Sequence, residues 1–143
     1  MIQEINSDWW SGLFKDDPVR PHIPANKRMS GNKKAWVLTH ENGIDAQAVI
    51  CAAFCSDVPV TEQDLDKTGD SVVAFYTVWS YERGAGKKII FEVADFLKAN
   101  YPKLERYVTL SPKTDMAYKF HIRNGAELIS ENQTTDNYEY KNT

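Results

Sequence analysis

Residues 81–88, with the sequence YERGAGKK, combine residue types that suit the binding of an anion. A strand-like run precedes this segment, and an amphipathic helical pattern follows it directly. The first turn of a helix has unpartnered N–H groups and the positive end of the helix dipole, and a residue without Cβ lets an anion approach them. The segment therefore predicts a phosphate site formed by Arg83, Gly84, Ala85, Gly86, Lys87 and Lys88.

Two better-known phosphate motifs do not fit this segment. A dinucleotide fingerprint would need a third glycine at position 89, where the chain has Ile89. A P-loop is also absent, because its glycine–lysine–serine or –threonine spacing cannot be matched here. A turn whose glycines serve backbone geometry alone stays open as the alternative.

A second group of cations lies between positions 20 and 34, in a stretch without a carboxylate: Arg20, Lys27, Arg28, Lys33 and Lys34. Such a run can attract phosphates, and a solvated loop is the competing interpretation. The two cysteines, Cys51 and Cys55, fall in one predicted strand, where their Cα atoms would be ~13 Å apart. A disulfide needs roughly 4.4–6.8 Å, so we expect two buried thiols. We expect no metal site, because the sequence has no second Cys/His pair with ligand spacing.

Size and composition are typical of a soluble globular protein. The 143 residues are 26% charged and 42% hydrophobic, which predicts one domain over 1–143. A net charge of -3 gives no general attraction to nucleic acid or to an anionic membrane. No apolar run reaches the ~20 residues that span a bilayer, and the first ten residues do not resemble a secretory signal. We therefore expect a cytoplasmic protein.

Periodicity and turn residues predict a mixed α/β fold. Asn42-Gly43 indicates a hairpin between two of the strands. The predicted strands are 2–5, 34–41, 44–55, 71–80, 106–111, 126–132 and 137–142, and the predicted helices are 8–15, 86–101 and 114–124.

Two of these segments resemble the GCN5-related N-acetyltransferases. That family has a Gln/Arg-x-x-Gly-x-Gly/Ala turn after a strand, and residues 81–86 match both small positions but have Tyr81 at the first. The family's later helix has the pattern Asn-x-x-Ala-x-x-Phe-Tyr-x-x-x-Gly-Phe. In this chain Ala117, Phe120 and Gly125 match the pattern, whereas Thr114, His121 and Ala126 depart from it.

The resemblance implies the acyl-CoA N-acyltransferase fold, with a mixed, mostly antiparallel sheet of six to seven strands flanked by helices. It implies acetyl-CoA as the cofactor, with its pyrophosphate on the 83–88 turn. A V-shaped opening between strands 72–78 and 106–111 would hold the pantetheine arm on backbone groups of Ala74, Tyr76 and Val78. A strand N–H would stabilise the thioester oxygen as it becomes negative.

The resemblance also places His121 where many relatives have the tyrosine that protonates the departing thiolate. Imidazole can donate a proton near neutral pH, so His121 is the predicted general acid, with Tyr118 as a second candidate. A histidine that only packs against its neighbours is the alternative. No general base is predicted, because nothing in the sequence places a candidate beside the incoming amine. The candidates are Glu41, Asp45, Glu82, His22 and His40.

The expected function is transfer of an acetyl group from acetyl-CoA to a primary amine, either on a small molecule or on a protein lysine. The alternative is an inactive member of the fold that acts as a coenzyme A-binding or structural module. A loose likeness to small acyltransferase-like proteins of podoviruses allows a virion-associated role. A third possibility is an unrelated α/β domain. Formation of a homodimer is left open.

The three tryptophans of the first 36 residues are expected in the core rather than in an acceptor pocket. They are Trp9, Trp10 and Trp36.

Overall fold

The computed structural model describes residues 1–141. The strands are β1 (Ile2–Glu4), β2 (Lys33–Thr39), β3 (Ala46–Cys55), β4 (Val72–Ser80), β5 (Arg106–Thr109), β6 (Ser111–Pro112), β7 (Glu127–Glu131) and β8 (Thr135–Glu139). The α-helices are α1 (Asp8–Ser11), α2 (Ala25–Arg28), α3 (Ala85–Asn100) and α4 (Asp115–Arg123). Two 3-10 turns cover Gly12–Asp16 and Gln63–Asp66.

The strands form one sheet in the order β1-β2-β3-β4-β5-β8-β6, and β7 pairs with β8. The β4–β5 pair is parallel, and the other pairs are antiparallel. The parallel pair is joined through α3, as a parallel connection requires a crossover. The mixed α/β prediction is therefore confirmed.

Each face of the sheet carries its own apolar cluster. Helix α3 places Ile89, Ile90 and Val93 at 0% exposure against one face, as its three- and four-residue spacing predicts. The N-terminal segment covers the other face with Ile5, Trp10 and Phe14, together with Leu65. Trp36 is also buried, whereas Trp9 is 72% exposed, so the core prediction holds for two of the three tryptophans.

The hairpin at Asn42-Gly43 forms as predicted. Gly43 has a φ of 74°, and its N–H donates to the carbonyl of His40 at 2.9 Å. The N–H of His40 donates to Asp45 at 3.0 Å and closes the loop between β2 and β3. Both cysteines of β3 are buried as free thiols.

The sheet has eight strands, and the prediction of six to seven was therefore wrong. The predicted strand 106–111 divides after Thr109, where pairing with β4 ends, and only the pairing with β8 resumes at Ser111. The last strand runs over Thr135–Glu139 instead of 137–142, since its turn closes earlier, between Asn132 and Thr135. Residue 142 lies outside the described residues. The helix predicted over 8–15 is α1 followed by a 3-10 turn.

Within residues 1–141, no helix combines the length and apolarity that crossing a membrane requires.

Candidate functional site

The two parallel strands separate at the carboxyl end of β5. Their pairing runs from Val72 with Arg106 to Phe75 with Thr109, and the N–H of Leu110 then donates to the carbonyl of Phe75 at 3.1 Å. Strand β4 continues to Ser80, while the chain after Leu110 no longer pairs with β4 and follows β8 instead. The second half of β4 thus has an open edge on this side.

A β-bulge at Tyr76 lies at the start of the open edge. Phe75 pairs with Ala52 and Thr77 pairs with Cys51, which leaves Tyr76 without a partner residue on β3. The extra residue shifts the alternation, so Tyr76 and Thr77 both point toward the N-terminal segment. Strand pairing with β3 resumes after the bulge and continues to Tyr81, whose N–H donates to Gln47 at 2.8 Å.

This register decides which main-chain groups face the opening. The main-chain N–H and C=O groups of Thr77, Trp79 and Tyr81 point to β3, because alternate residues of a strand hydrogen-bond to the same neighbouring strand. Val78 and Ser80 therefore direct theirs to the open edge.

Among the predicted pantetheine contacts, only Val78 faces the opening. Ala74 lies in the closed part of the sheet, between Ala53 of β3 and Val108 of β5. The carbonyl of Tyr76 already accepts a hydrogen bond from Nη1 of Arg20. Both predicted positions lie before or within the bulge, which the sequence does not reveal.

The predicted phosphate turn follows β4 directly. The N–H of Ala85 donates to Glu82 at 3.2 Å, and that of Lys88 donates to Gly84 at 3.3 Å. The N–H groups of Gly86 and Lys87 donate to no acceptor in the described part of the chain. Because they belong to the first turn of a 16-residue helix, these groups also carry the positive end of its dipole.

The two glycines of the turn serve different purposes. Gly84 has a φ of 82°, and a Cβ built on it would meet nothing within 4 Å, so its role is to adopt the left-handed conformation. Gly86 is buried, and a Cβ there would lie 3.2 Å from Cζ of Phe120. Gly86 therefore lets the aromatic ring of α4 approach the start of α3.

The charges around the turn favour an anion on its exposed side. Arg83 and Lys87 are exposed and have no ion pair within residues 1–141, while Lys88 lies 3.9 Å from Glu92. The carboxylate of Glu82 is directed to His40, 2.5 Å away, and this hydrogen bond lowers the pKa of Glu82. Glu82 is therefore held by His40, which follows β2, rather than left free in the turn.

A cavity of about 780 Å³ adjoins the turn on the side of the β2–β3 hairpin. Its lining includes Glu41, Asp45 and Glu92, with Lys88 and the N-terminal ammonium of Met1 as cations. Three carboxylates make this side unfavourable for a phosphate. The face that carries Arg83 and Lys87 is the one suited to bind an anion.

Tyr81, where the family has glutamine or arginine, has a structural contact instead. Its hydroxyl donates to Asp16 at 2.7 Å and accepts from the indole nitrogen of Trp79 at 3.0 Å. Burial is the main cause that raises the pKa of Tyr81 to about 12, so the phenol stays protonated. The substitution therefore connects the end of β4 to the N-terminal segment.

His121, the predicted acid, lies in the interior and is 5% exposed. Its Nδ1 is 2.7 Å from the hydroxyl of Tyr140, and its Nε2 is 3.2 Å from the hydroxyl of Ser111. Burial lowers the pKa of His121 to about 4. The imidazole is thus neutral near pH 7, with both nitrogens in contact with protein groups.

These contacts favour the packing interpretation of His121, because a neutral imidazole is a poor proton donor. The ring of His121 lies 4.8 Å from that of Tyr138, with 31° between the ring planes. Its role as an acid stays a prediction, and the environment counts against it. Tyr118, the second candidate, is 48% exposed on α4.

Other positions of the second motif have structural roles. The hydroxyl of Thr114 accepts from the N–H of Ala117 at 3.1 Å and caps α4 in place of the family's asparagine. Gly125 has a φ of 92° and ends the helix.

The basic run of residues 20–34 is neither a phosphate site nor a solvated loop. Four of its cations have protein partners: Arg20 with Glu62, Arg28 with Asp17, Lys33 with Asp66 and Lys34 with Glu4. Lys27 is exposed. Sequence reasoning missed these pairs, since most partners are about 30 to 40 residues away in the chain.

The carboxylate of Asp17 is the centre of this arrangement. Its Oδ1 accepts from the N–H groups of Val19 and Arg20 and from the hydroxyl of Thr77, at 2.8–2.9 Å, while its Oδ2 accepts from Arg28 at 2.7 Å. Burial acts to raise the pKa of Asp17, but these hydrogen bonds outweigh it and the pKa is lowered. The carboxylate stays ionised inside the protein.

Comparison with solved structures identifies the fold. N-acetyltransferase PseH of Campylobacter jejuni superposes with a TM-score of 0.67 at 12% identity, over 99% of each chain. NAA60 of Arabidopsis thaliana, in complex with acetyl-CoA, has a TM-score of 0.65 at 15% identity, over 98% of this chain and 97% of that one. No family model and no curated protein sequence matches the chain.

A larger protein shares the same arrangement. Malonyl-CoA decarboxylase from Agrobacterium vitis has a TM-score of 0.69 at 19% identity, over 93% of this chain. The chain spans only 38% of the length of that enzyme. Together these likenesses show that the chain has the acyl-CoA N-acyltransferase fold of the GCN5-related N-acetyltransferases, as the sequence motifs predicted. The likeness to podovirus proteins stays a prediction.

Proposed function

We propose that this protein is an N-acetyltransferase that binds acetyl-CoA and transfers its acetyl group to a primary amine. The proposal rests on one observation: the open edge of β4 and the start of α3 are adjacent. The open edge at Val78 and Ser80 leads directly to the unpartnered N–H groups of Gly86 and Lys87. The pantetheine arm of coenzyme A is extended and ends at a pyrophosphate, so the arm would lie along the open edge and the pyrophosphate at the turn.

The residues of the turn suit the pyrophosphate. The N–H groups of Gly86 and Lys87 would donate to its oxygens, with the side chains of Arg83 and Lys87 as additional cations. The space beside Gly84 leaves room for the approach of an anion, because a Cβ at this position would have no neighbour within 4 Å. Arg83, Gly84, Ala85, Gly86, Lys87 and Lys88 thus remain the proposed binding turn.

The open edge suits the pantetheine arm. Amide groups of such an arm can pair with the main chain of Val78 and Ser80, as an added strand would. This pairing needs no particular side chain. The two further predicted contacts would not take part, because Ala74 pairs with β5 and the carbonyl of Tyr76 already accepts from Arg20.

Acetyl-CoA supplies an activated acyl group as a thioester. An N–H of the open β4 edge, Val78 being the proposed donor, would stabilise the carbonyl oxygen as it becomes negative. The amine forms the new C–N bond, the C–S bond breaks, and the thiolate takes up a proton as the amine loses one. Neither proton transfer is assigned to His121, since its imidazole is buried and neutral.

Calorimetric titration with acetyl-CoA and desulfo-CoA tests the binding half of the proposal. The double variant Arg83→Ala/Lys87→Ala should bind at least about tenfold more weakly than the wild type, or about 1.4 kcal/mol. Lys103→Ala is the matched control, because Lys103 is an exposed cation that lies beyond the other end of α3. Absence of binding to the wild type at millimolar ligand would refute the proposal.

Release of free thiol across a panel of amines tests the chemical half. The alternative, an inactive coenzyme A-binding module, is supported by the environment of His121, because the imidazole that replaces the usual tyrosine is buried and does not carry the proton that it would have to donate. Tight binding with thiol release at the background rate for every amine, including lysine peptides, would support the module. Amine-dependent release would support the enzyme.

A further inference from the structure

A buried ionic network connects the N-terminal segment to β4. Asp17 and Arg28 form an ion pair with 0% exposure on both sides, and Asp17 also accepts from the hydroxyl of Thr77. Arg28 donates to the carbonyl of Arg20 at 2.6 Å and to that of Ile23 at 3.1 Å. These bonds fix the backbone around Arg20, whose N–H donates to Asp17 at 2.9 Å.

The side chain of Arg20 extends from this fixed backbone to the bulge in β4. Its Nη1 donates to the carbonyl of Tyr76, and its Nε lies 3.2 Å from Oε1 of Glu62. Arg20 is 5% exposed, and Glu62 is in turn 2.8 Å from Nε2 of His22 near the surface. A planar guanidinium can make both bonds at once, which a lysine ammonium on its flexible chain does less well.

The contact with Tyr76 bears on the geometry of the opening. The carbonyl of Tyr76 and the N–H of Thr77 belong to one peptide plane. A bulge leaves the extra residue outside the regular ladder, so its buried carbonyl needs another donor. Arg20 provides this donor, and Thr77 is held at the same point by Asp17. Both ends of the bulged peptide are therefore anchored to the N-terminal segment.

We propose that Arg20 is a positioning residue for acyl transfer: by holding the carbonyl of Tyr76 it maintains the bulge that turns the amide of Val78 toward the opening. The proposal rests on the proposed function, since Val78 is the expected donor to the thioester oxygen. It implies that the segment before β2 acts on the reaction without contact with the coenzyme. The phosphate turn lies at the far end of β4 and does not depend on Arg20.

Arg20→Lys, with steady-state thiol release and calorimetry, tests this proposal. The variant should lower kcat about tenfold or more and leave the affinity for coenzyme A within about twofold, because binding at residues 83–88 is separate. Lys27→Ala is the control, since Lys27 is the exposed cation of the same basic run. Equal kcat values in Arg20→Lys and wild type would overturn the proposal. A parallel loss of affinity and kcat would also overturn it, because it would indicate general damage to the fold.

Two measurements on ligand-free protein keep the test independent of the proposed function. The amide ¹H–¹⁵N signals of Thr77 and Val78 should shift in Arg20→Lys and stay unchanged in Lys27→Ala. In the wild type, the guanidinium protons of Arg20 should exchange slowly with water, whereas those of exposed Arg83 exchange fast. An unshifted Val78 amide or fast-exchanging Arg20 protons would overturn the positioning role, whether or not acetyl-CoA binds. A wild type that shows these signals but binds no coenzyme would refute the proposed function and, with it, the role in transfer.

Discussion

Oδ2 of Asp17 lies 2.7 Å from Nη1 of Arg28, and neither side chain is exposed to solvent. The two residues are 11 positions apart, on either side of a proline-containing loop. Buried ion pairs of this kind hold a loop in one conformation only when both partners are present. The pair thus connects the N-terminal segment to β4 through Thr77 and Arg20.

Asp17→Asn should lower the free energy of unfolding by about 3–5 kcal/mol, because it leaves the charge of Arg28 buried without its counter-ion. Asp70→Asn is the matched control. Asp70 pairs with Lys103 at 3.7 Å, and both side chains are more than 70% exposed, so its loss should cost at most about 1 kcal/mol. Urea unfolding at neutral pH measures both. Similar midpoints for the two variants would contradict the inferred importance of the buried pair.

The pKa of His121, lowered to about 4 by burial, predicts a pH dependence of stability. The ordinary pKa of histidine is near 6.5, so between pH 6.5 and about pH 4 the unfolded chain binds a proton at His121 that the folded protein does not bind. Stability is therefore complete above pH 6.5 and falls as the pH drops toward 4, by about 2 kcal/mol between pH 7 and 5.

His121→Gln should remove this part of the pH dependence, because glutamine does not titrate. Urea unfolding of wild type and variant at pH 7 and pH 5 gives the comparison. The same loss of stability in both proteins would show that His121 is accessible enough to be protonated while folded.

Gly84→Ala should destabilise the protein by about 1 kcal/mol, because alanine at a φ of 82° is strained although its Cβ has free space. Gly84→Asn should cost less, since asparagine tolerates this conformation better. Gly12→Ala is the control: Gly12 has a φ of -61° and equally free space, so alanine there should be neutral or stabilising by about 0.5 kcal/mol. Thermal unfolding compares the three variants. An equal response at both glycines would contradict the conformational argument.

Gly86→Ala should act through Phe120, whose ring carbons lie 3.2 and 3.3 Å from the added Cβ. In the wild-type background this contact opposes the helix propensity that alanine gains over glycine. In a Phe120→Leu background the contact is relieved, so Gly86→Ala should become more favourable by at least about 0.5 kcal/mol. A double-mutant cycle in urea measures the coupling. Additive effects would mean that Phe120 moves away without cost.

Local patterns in the chain were enough to predict most elements. The spacing of Ile89, Ile90 and Val93 is that of a helix with one buried face, and α3 is such a helix. Asn42-Gly43 defines its hairpin through the positive φ that glycine permits. The conformation of the 81–88 turn was predictable for the same reason, since a strand, two glycines and a helix are adjacent in sequence; its binding of a phosphate stays a prediction. Thr114 and Gly125 mark the ends of α4 through capping.

Tertiary structure alone decided what surrounds the predicted side chains. Arg20 and Arg28 look like solvated cations in sequence, yet they are buried because Asp17 and a strand carbonyl supply their partners. His121 looks like an acid by position, yet its burial makes the imidazole neutral. The extra residue at Tyr76 depends on pairing with β3, which no local pattern encodes. Backbone preferences act over a few residues and can be recognised in the sequence, whereas charge, solvation and strand register depend on contacts between residues far apart in the chain.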